Sequence, residues 1–218
     1  MATLNVKGKS ARKIILCSLS VLAALCTYIS LFLPVVRHQS TTHPEMDLGE
    51  GDFGVVDVIT GGLYNKNNDT PIYDAEGNSA LPGYEKLSDK AKVYYTQVCL
   101  LAPSTDTSGR TSATFLFLTE CFAVILVLAA LLGILSGQDT YLAQVIFGVV
   151  QVVLSILTLV FLGKLTDAVS VTEFGGKVDF EIVVRSAPYV LIAAAVFYTV
   201  VSLVGLLTEI VSKAKKRG

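Results

Sequence analysis

The chain has 218 residues, of which 52% are hydrophobic and only 16% are charged. Soluble domains average about 25% charged residues, so this composition excludes an ordinary soluble protein and indicates one that resides in lipid. The 17 Lys and Arg residues are balanced by 18 Asp and Glu residues, which excludes a nucleic-acid-binding protein that depends on bulk positive charge.

Four long apolar segments dominate the sequence. Each has 22 to 25 residues, and none contains Lys or Arg. A helix of about 20 residues spans the ~30 Å hydrocarbon core of a bilayer, and a backbone in lipid must form its own hydrogen bonds. We therefore predict four transmembrane helices, at residues 14–36, 113–135, 141–162 and 187–211.

The distribution of basic residues predicts the orientation of these helices. The N-terminal tail (residues 1–13) and the C-terminal tail (212–218) each carry four Lys or Arg residues, and the turn at 136–140 carries none. Clustered basic residues stay on the cytoplasmic side of a membrane. We therefore expect a cell-membrane protein with both tails and this turn in the cytoplasm, and with residues 37–112 and 163–186 outside.

The first outer segment is longer than an ordinary connection, and we expect a small domain there. Residues 52–64 contain an apolar run that ends in two glycines, and their periodicity fits a strand or a short helix. Residues 88–101 predict an amphipathic helix, which packs on the loop domain or lies at the membrane surface. Ser88 is its expected N-cap. Its apolar residues recur at helical spacing: Ala91, Tyr94, Tyr95, Val98 and Leu101.

The second outer segment has the pattern of a β-hairpin. Apolar and polar residues alternate on both sides of Gly175 and Gly176, across 169–172 and 178–182, and a glycine pair suits the turn. An isolated hairpin is only marginally stable, so we expect it to pair with strands of the first outer segment. The predicted fold is an all-α integral membrane bundle of four transmembrane helices, with a small extracytoplasmic α+β cap formed by the two outer loops.

Glu120 is the strongest candidate for an intramembrane site. It lies seven residues into the second predicted helix, where a carboxyl group is costly and suggests a function by default. Its candidate partners are Gln151 and, as charge partners at the outer helix ends, Lys164 and Arg185. Gln144 and Gln151 are seven residues apart and share one face of the third helix. Two interpretations stay open: a site that carries protons or cations, and a set of interhelical hydrogen bonds.

Small residues and a cysteine supply the remaining candidates. Ala129, Gly133 and Gly137 recur every four positions in the second helix, which favours close helix packing. Cys99 is the single cysteine of the outer segments, and it could form an intermolecular disulfide or lie buried on the 88–101 helix. Asn68 begins an Asn-Asp-Thr glycosylation pattern, which the following Pro disfavours.

The predicted topology is similar to that of the claudin-like tetraspan proteins. Their tails also lie inside, and a long first outer loop with strands precedes a short second loop. Those proteins carry a W…GLW…C…C signature in the first loop, whereas this chain has no Trp and one loop Cys. The resemblance therefore extends to topology and implies no function.

The sequence contains no standard metal-ligand spacing and no catalytic or cofactor-binding motif, and we expect no enzyme activity, no metal and no cofactor. The leading hypothesis is a structural, assembly or interaction subunit that acts through its extracytoplasmic cap and helix bundle. Its expected partners are membrane lipid, other membrane proteins and further copies of itself in a homo-oligomer, but no nucleic acid. The alternative is a small oligomeric channel or transporter that uses Glu120 and the Gln144/Gln151 face.

Overall fold

The computed structural model describes residues 11–40, 51–64, 83–100, 103–136, 140–165, 169–173 and 176–215. These residues are mostly helical and include one small sheet. Four helices are long and apolar enough to cross a membrane, and only 28% to 39% of their most apolar stretches is buried within the protein. These four apolar helices suggest a multi-pass membrane protein, as the sequence predicts. The candidate spans are Ile14–Phe32, Gly109–Leu135, Tyr141–Gly163 and Ser186–Lys215.

Six α-helices and four strands make up the described part of the chain, together with short helices of other types. In chain order they are α1 (Ala11–Cys26), a 3₁₀ helix (Thr27–Phe32), β1 (Pro34–Ser40), β2 (Gly51–Gly54), α2 (Val55–Gly62), a 3₁₀ turn (Tyr84–Lys86), α3 (Asp89–Val93), a π-helix (Tyr94–Leu100), α4 (Pro103–Ser136), α5 (Tyr141–Gly163), β3 (Val169–Glu173), β4 (Gly176–Val184) and α6 (Ser186–Lys215).

These elements form two compact units. The first unit comprises Met1–Ile29, Thr119–Ser155 and Val190–Gly218, and the second comprises Ser30–Leu118 and Ile156–Tyr189. The first unit therefore holds all of α1, the larger parts of α5 and α6 and the C-terminal half of α4. The second unit holds the sheet, α2, α3, the π-helix and the remaining ends of α4, α5 and α6.

The core of the first unit is built from small and aromatic residues of three helices. Alanines allow helices to approach closely where lipid provides no hydrophobic driving force between them. Phe147 of α5 packs against this core. The fully buried members of the cluster are Ala23 and Ala24 of α1, Leu126 and Ala130 of α4, and Tyr198 of α6.

The second unit contains a four-stranded antiparallel sheet with strand order β2-β1-β4-β3. The central pair β1 and β4 runs in register from Val36 opposite Val184 to Ser40 opposite Phe180. This pairing joins the hairpin of the second loop to strands that follow the first helix, so the expected pairing between the two loops is observed. Gly175, in the predicted turn, lies outside the described residues.

The first membrane helix is shorter than the sequence predicts. The prediction extends it to residue 36, but the 3₁₀ helix ends at Phe32 and β1 begins at Pro34. A proline disfavours helical geometry at the residue before it, and the two valines that follow suit a strand. Val35 and Val36 are fully buried in the second unit, so residues assigned to the membrane helix begin the sheet instead.

The sequence of residues 52–64 fits either a strand or a short helix, and the structure contains one of each. The run at 52–64 contains a strand and a helix, because β2 leads directly into α2. Ser88 is the N-cap of α3, as predicted, and its Oγ accepts a hydrogen bond from the Ala91 N–H at 3.1 Å. The predicted helix at 88–101 is α-helical only to Val93, after which it continues as the π-helix.

The helix α4 starts at Pro103, ten residues before the predicted start of the second membrane span at residue 113, and the candidate span within it starts at Gly109. Proline is well tolerated in the first turn of a helix, where its missing N–H is not needed. The polar stretch after Pro103 conceals this start from an analysis of hydropathy. The third and fourth helices agree more closely with the predicted ranges, since α5 ends at Gly163 and α6 spans Ser186–Lys215.

Candidate functional site

The glutamine face of α5 lies inside the first unit. Gln144 and Gln151 are both 0% exposed. Gln144 Nε2 donates to Thr140 Oγ1 at 2.8 Å. The Ser202 hydroxyl of α6 lies 3.4 Å from Gln144 Oε1 and shares its proton between this oxygen and the Tyr198 carbonyl at 2.9 Å. The predicted face therefore contributes a hydrogen-bonded connection between α5 and α6.

Gly133, a member of the small-residue series, lies close to other helices. A Cβ atom at this position would lie 2.6 Å from Thr140 Oγ1, 2.9 Å from Gln144 Nε2 and 3.4 Å from Cys17 Sγ. The absent side chain therefore lets α4 approach both α1 and the start of α5. Ala129 is also buried, and Gly137 lies outside the described residues.

Gln151 and Glu120 lie in the same region of the first unit. Gln151 Nε2 donates to the carbonyl oxygen of Thr119 at 3.0 Å, which places it one residue from Glu120 along α4. The Oε1 atom of Gln151 is buried and has no hydrogen-bond partner among the described residues. Glu120 is half-buried, and it interacts electrostatically with Tyr28 on the 3₁₀ continuation of α1.

This arrangement has a defined chemical capacity. The Glu120 carboxyl group can hold a proton or a cation, and Gln151 Oε1 can accept a hydrogen bond from a water molecule. A carboxyl group in lipid is more stable when neutral or paired. The geometry therefore suits a protonated carboxylic acid that joins helices, and it also suits a single proton-exchanging group.

The two basic residues proposed as charge partners of Glu120 have other partners within the second unit. Lys164 Nζ lies 4.8 Å from the centre of the Phe161 ring, in a cation–π contact. Arg185 Nε lies 3.5 Å from Asp52 Oδ1, and the Arg185 N–H donates to the Val35 carbonyl at 2.8 Å. Arg185 thus connects β2, β1 and the start of α6.

Cys99 is a fully buried thiol in the second unit and forms no disulfide. Its Sγ would lie 2.9 Å from a Cβ atom at Gly109, so it packs directly against the first part of α4. A disulfide with another chain requires an accessible thiol. The structure therefore favours the buried-thiol interpretation. The glycosylation pattern at Asn68 lies outside the described residues.

A buried tyrosine cluster is a feature of the second unit that periodicity predicts only in part. Tyr94 and Tyr95 are expected on the buried face and are 0% exposed. Tyr95 contacts Tyr64 edge-on, with ring centres 4.9 Å apart. Burial raises the pKa of Tyr94 far above its ordinary value, the nearby Cys99 thiol acts in the same direction, and the Ser112 hydroxyl opposes both. The aromatic partners come from distant segments and leave no local signal.

Tyr198 and Ser202 form hydrogen bonds within the bundle that the sequence analysis does not predict. Tyr198 Oη donates to the Leu126 carbonyl at 3.3 Å and connects α6 to α4. Ser202 is 0% exposed and reaches Gln144. A systematic search for polar side chains within apolar spans would identify both residues, because each requires a partner in lipid.

Among the described residues, no group of three or more His, Cys, Asp and Glu side chains could hold a metal ion. Comparisons with known protein families, curated proteins and solved structures found no match. The function must therefore be inferred from the contacts of the chain itself.

Proposed function

We propose that this chain is a non-enzymatic membrane protein that acts as a structural, assembly or interaction subunit. This proposal rests on the observation that polar side chains of the bundle are buried and contact other helices. Gln144, Gln151 and Ser202 are all 0% exposed, and each contacts another helix. Side chains that line a conducting pathway face water, whereas these side chains hold helices together.

The second unit supplies the surface for interaction in this proposal. Its sheet joins strands from both loops, and we assign it to the extracytoplasmic side as a cap. The four basic residues in each tail support a cytoplasmic location for both termini and an orientation in the cell membrane. Other membrane proteins, or further copies of this chain, are the proposed partners within the membrane.

The test is purification of the tagged chain from its native membrane in mild detergent, followed by mass determination of the intact complex. We expect a complex of defined stoichiometry with a mass above the 23.3 kDa of one chain. A tagged four-span protein of similar size, purified in parallel, controls for detergent aggregation. Recovery of the monomer alone, at native expression levels and across several detergents, would contradict the proposal.

A small oligomeric channel or transporter is the second candidate function. The observation that favours it is the buried, unbonded Oε1 atom of Gln151, which lies near Glu120 and could hold a water molecule beside an exchangeable proton. In this alternative, Glu120 and the Gln144/Gln151 face carry protons or cations.

Proton and cation flux into reconstituted vesicles separates the two functions. The variant Glu120→Gln preserves the shape and much of the hydrogen bonding but cannot ionise. Glu209→Gln is the matched control, because Glu209 forms an ion pair with Lys213 near the C-terminal end of α6. We expect no flux above that of protein-free vesicles. Flux that the wild type and Glu209→Gln share and Glu120→Gln lacks would replace our proposal with the alternative.

A further inference from the structure

The helix α2 exposes apolar side chains although it lies outside the four candidate spans. Val56 is 61% exposed and Leu63 is 41% exposed, and Ile59 is partly exposed. Positions separated by three and seven residues share one face of a helix. The opposite face is buried in the second unit and consists of Val55, Val58, Gly61 and Gly62.

The polar groups near this exposed face are already hydrogen-bonded within the protein. Thr60 Oγ1 donates to the Val56 carbonyl at 2.7 Å. Asp57 Oδ2 accepts from the Gly54 N–H at 3.1 Å, and its Oδ1 accepts from the Ser88 hydroxyl at 3.2 Å. The aspartate is thus directed towards the start of α3. The exposed face therefore presents methyl groups and a satisfied hydroxyl group.

The C-terminal end of α2 lies where α4 begins its candidate span. A Cβ atom at Gly62 would lie 2.5 Å from Ala113 Cβ and 3.2 Å from the carbonyl oxygen of Gly109. Gly109 opens the span Gly109–Leu135, and Ala113 is the first residue of its apolar run. Tyr189, at the start of α6 in the same unit, is 55% exposed, as is common for aromatic residues at a membrane surface.

We propose that α2 lies in the interfacial layer of the bilayer and inserts Val56, Ile59 and Leu63 among the lipids of the leaflet beside the second unit. Gly62, at the C-terminal end of α2, packs against Ala113, where the apolar run of α4 begins. This contact places α2 at the depth where the span enters the bilayer, which supports lipid as the partner of its exposed face. A second copy of the chain fits less well, because α2 is roughly 12 Å long, whereas a stable interface buries about 800 Å² per partner. This inference depends on insertion of the four helices in a membrane and does not depend on the proposed role as an interaction subunit.

The absence of Trp from the sequence provides a direct test by fluorescence. Val56→Trp and Leu63→Trp each place one Trp on the proposed lipid-facing surface of the full chain. Glu85→Trp, at an exposed charged position of the 3₁₀ turn, is the control for water. Val124→Trp, at a 48% exposed position near the middle of the second span, is the control for deep lipid.

Each variant is reconstituted into phosphatidylcholine vesicles, with or without lipids that carry bromine near the headgroup end or near the middle of the acyl chain. We expect the emission of Val56→Trp and Leu63→Trp to be quenched more by shallow bromine than by deep bromine, because an interfacial helix inserts only to the boundary between headgroups and acyl chains. Val124→Trp should respond most to deep bromine, and Glu85→Trp to neither. Circular dichroism and size-exclusion profiles matching those of the wild type establish that the variants fold, and two independent positions guard against a local artefact.

Two results would overturn the proposal. Red-shifted, unquenched emission from both α2 variants, as from Glu85→Trp, would mean that the α2 face is exposed to water. Blue-shifted emission that neither brominated lipid quenches would mean that protein covers the face, which would favour a second copy of the chain. Neither result would affect the test of the intact complex described above.

Discussion

Replacement of Gly205 by alanine tests a close contact between α5 and α6 in the first unit. A Cβ atom at this position of α6 would lie 2.4 Å from both Cδ1 and Cε1 of Tyr141 at the start of α5. Carbon atoms pack favourably at about 3.5–4.0 Å, so the Tyr141 ring or the helix must move by about 1 Å. The ring is only 4% exposed, and its hydroxyl accepts a hydrogen bond from Cys17 Sγ at 3.5 Å. The ring therefore has little room to move.

The expected loss of stability follows from two opposing effects. Overpacking of a close-packed core costs about 1–3 kcal/mol, whereas Gly→Ala in a helix is favourable by up to about 1 kcal/mol. We expect Gly205→Ala to destabilise the protein by about 1–2 kcal/mol, which corresponds to a melting temperature roughly 2–8 °C lower. Gly163→Ala is the matched control, because a Cβ atom there has nothing within 4 Å.

Thermal melting in detergent, followed by size-exclusion chromatography, measures both variants against the wild type. Tyr141→Leu should relieve the clash, so the double variant Gly205→Ala/Tyr141→Leu should be more stable than the sum of the single changes predicts. A Gly205→Ala protein as stable as Gly163→Ala would refute the close contact between α5 and α6. Additive effects of the two changes would refute the role of Tyr141 in that contact.

Further predictions concern the second unit and the topology. Ser88→Ala removes the N-cap bond to the Ala91 N–H and should destabilise the second unit by about 1 kcal/mol. We expect protease to cleave this variant faster than the control Thr60→Ala, and equal cleavage would contradict the prediction. The pKa of Tyr94 is raised in the folded state, so its contribution to the free energy of unfolding should be constant below the unfolded-state pKa of about 10. Above that pH the unfolded chain loses the proton more readily than the folded chain, and the free energy of unfolding should fall. Tyr94→Phe should show a weaker fall, and an equally steep fall would exclude this tyrosine as a cause. Tags at both termini should be protected from impermeant reagents in intact cells, and labelling of either tag would overturn the proposed orientation.

Much of the architecture is predictable because hydrophobicity in lipid acts over long, uniform segments. The ranges at 141–162 and 187–211 correspond closely to α5 and α6, and the alternating pattern predicts the hairpin of β3 and β4. Helix ends are harder to predict, because they depend on contacts with distant segments. The polar start of α4 is an example: Gly109 packs against Cys99, and Ala113 against Gly62.

The candidate site is predictable as a set of residues but not as a set of contacts. A carboxyl group and amides within apolar segments are visible in the sequence, and so Glu120, Gln144 and Gln151 are identified. Their partners depend on how each helix is rotated. Gln151 contacts a backbone carbonyl at Thr119, which no pattern of side chains reveals. Tyr28 lies on a 3₁₀ continuation, where the angular spacing of residues differs from that of an α-helix.

Three packing contacts of α4 lie along one line of the helix, and Glu120 lies beside that line. Thr119 accepts a hydrogen bond from α5, Leu126 accepts one from α6, and Gly133 packs against α1 and α5. These three positions are seven residues apart, so they form one line along the helix, as in left-handed bundles. Glu120 is one residue off this line, about 100° around the helix. These three contacts do not use the Glu120 carboxyl group, so Glu120→Gln should leave them in place and keep the melting temperature of the protein close to that of the wild type.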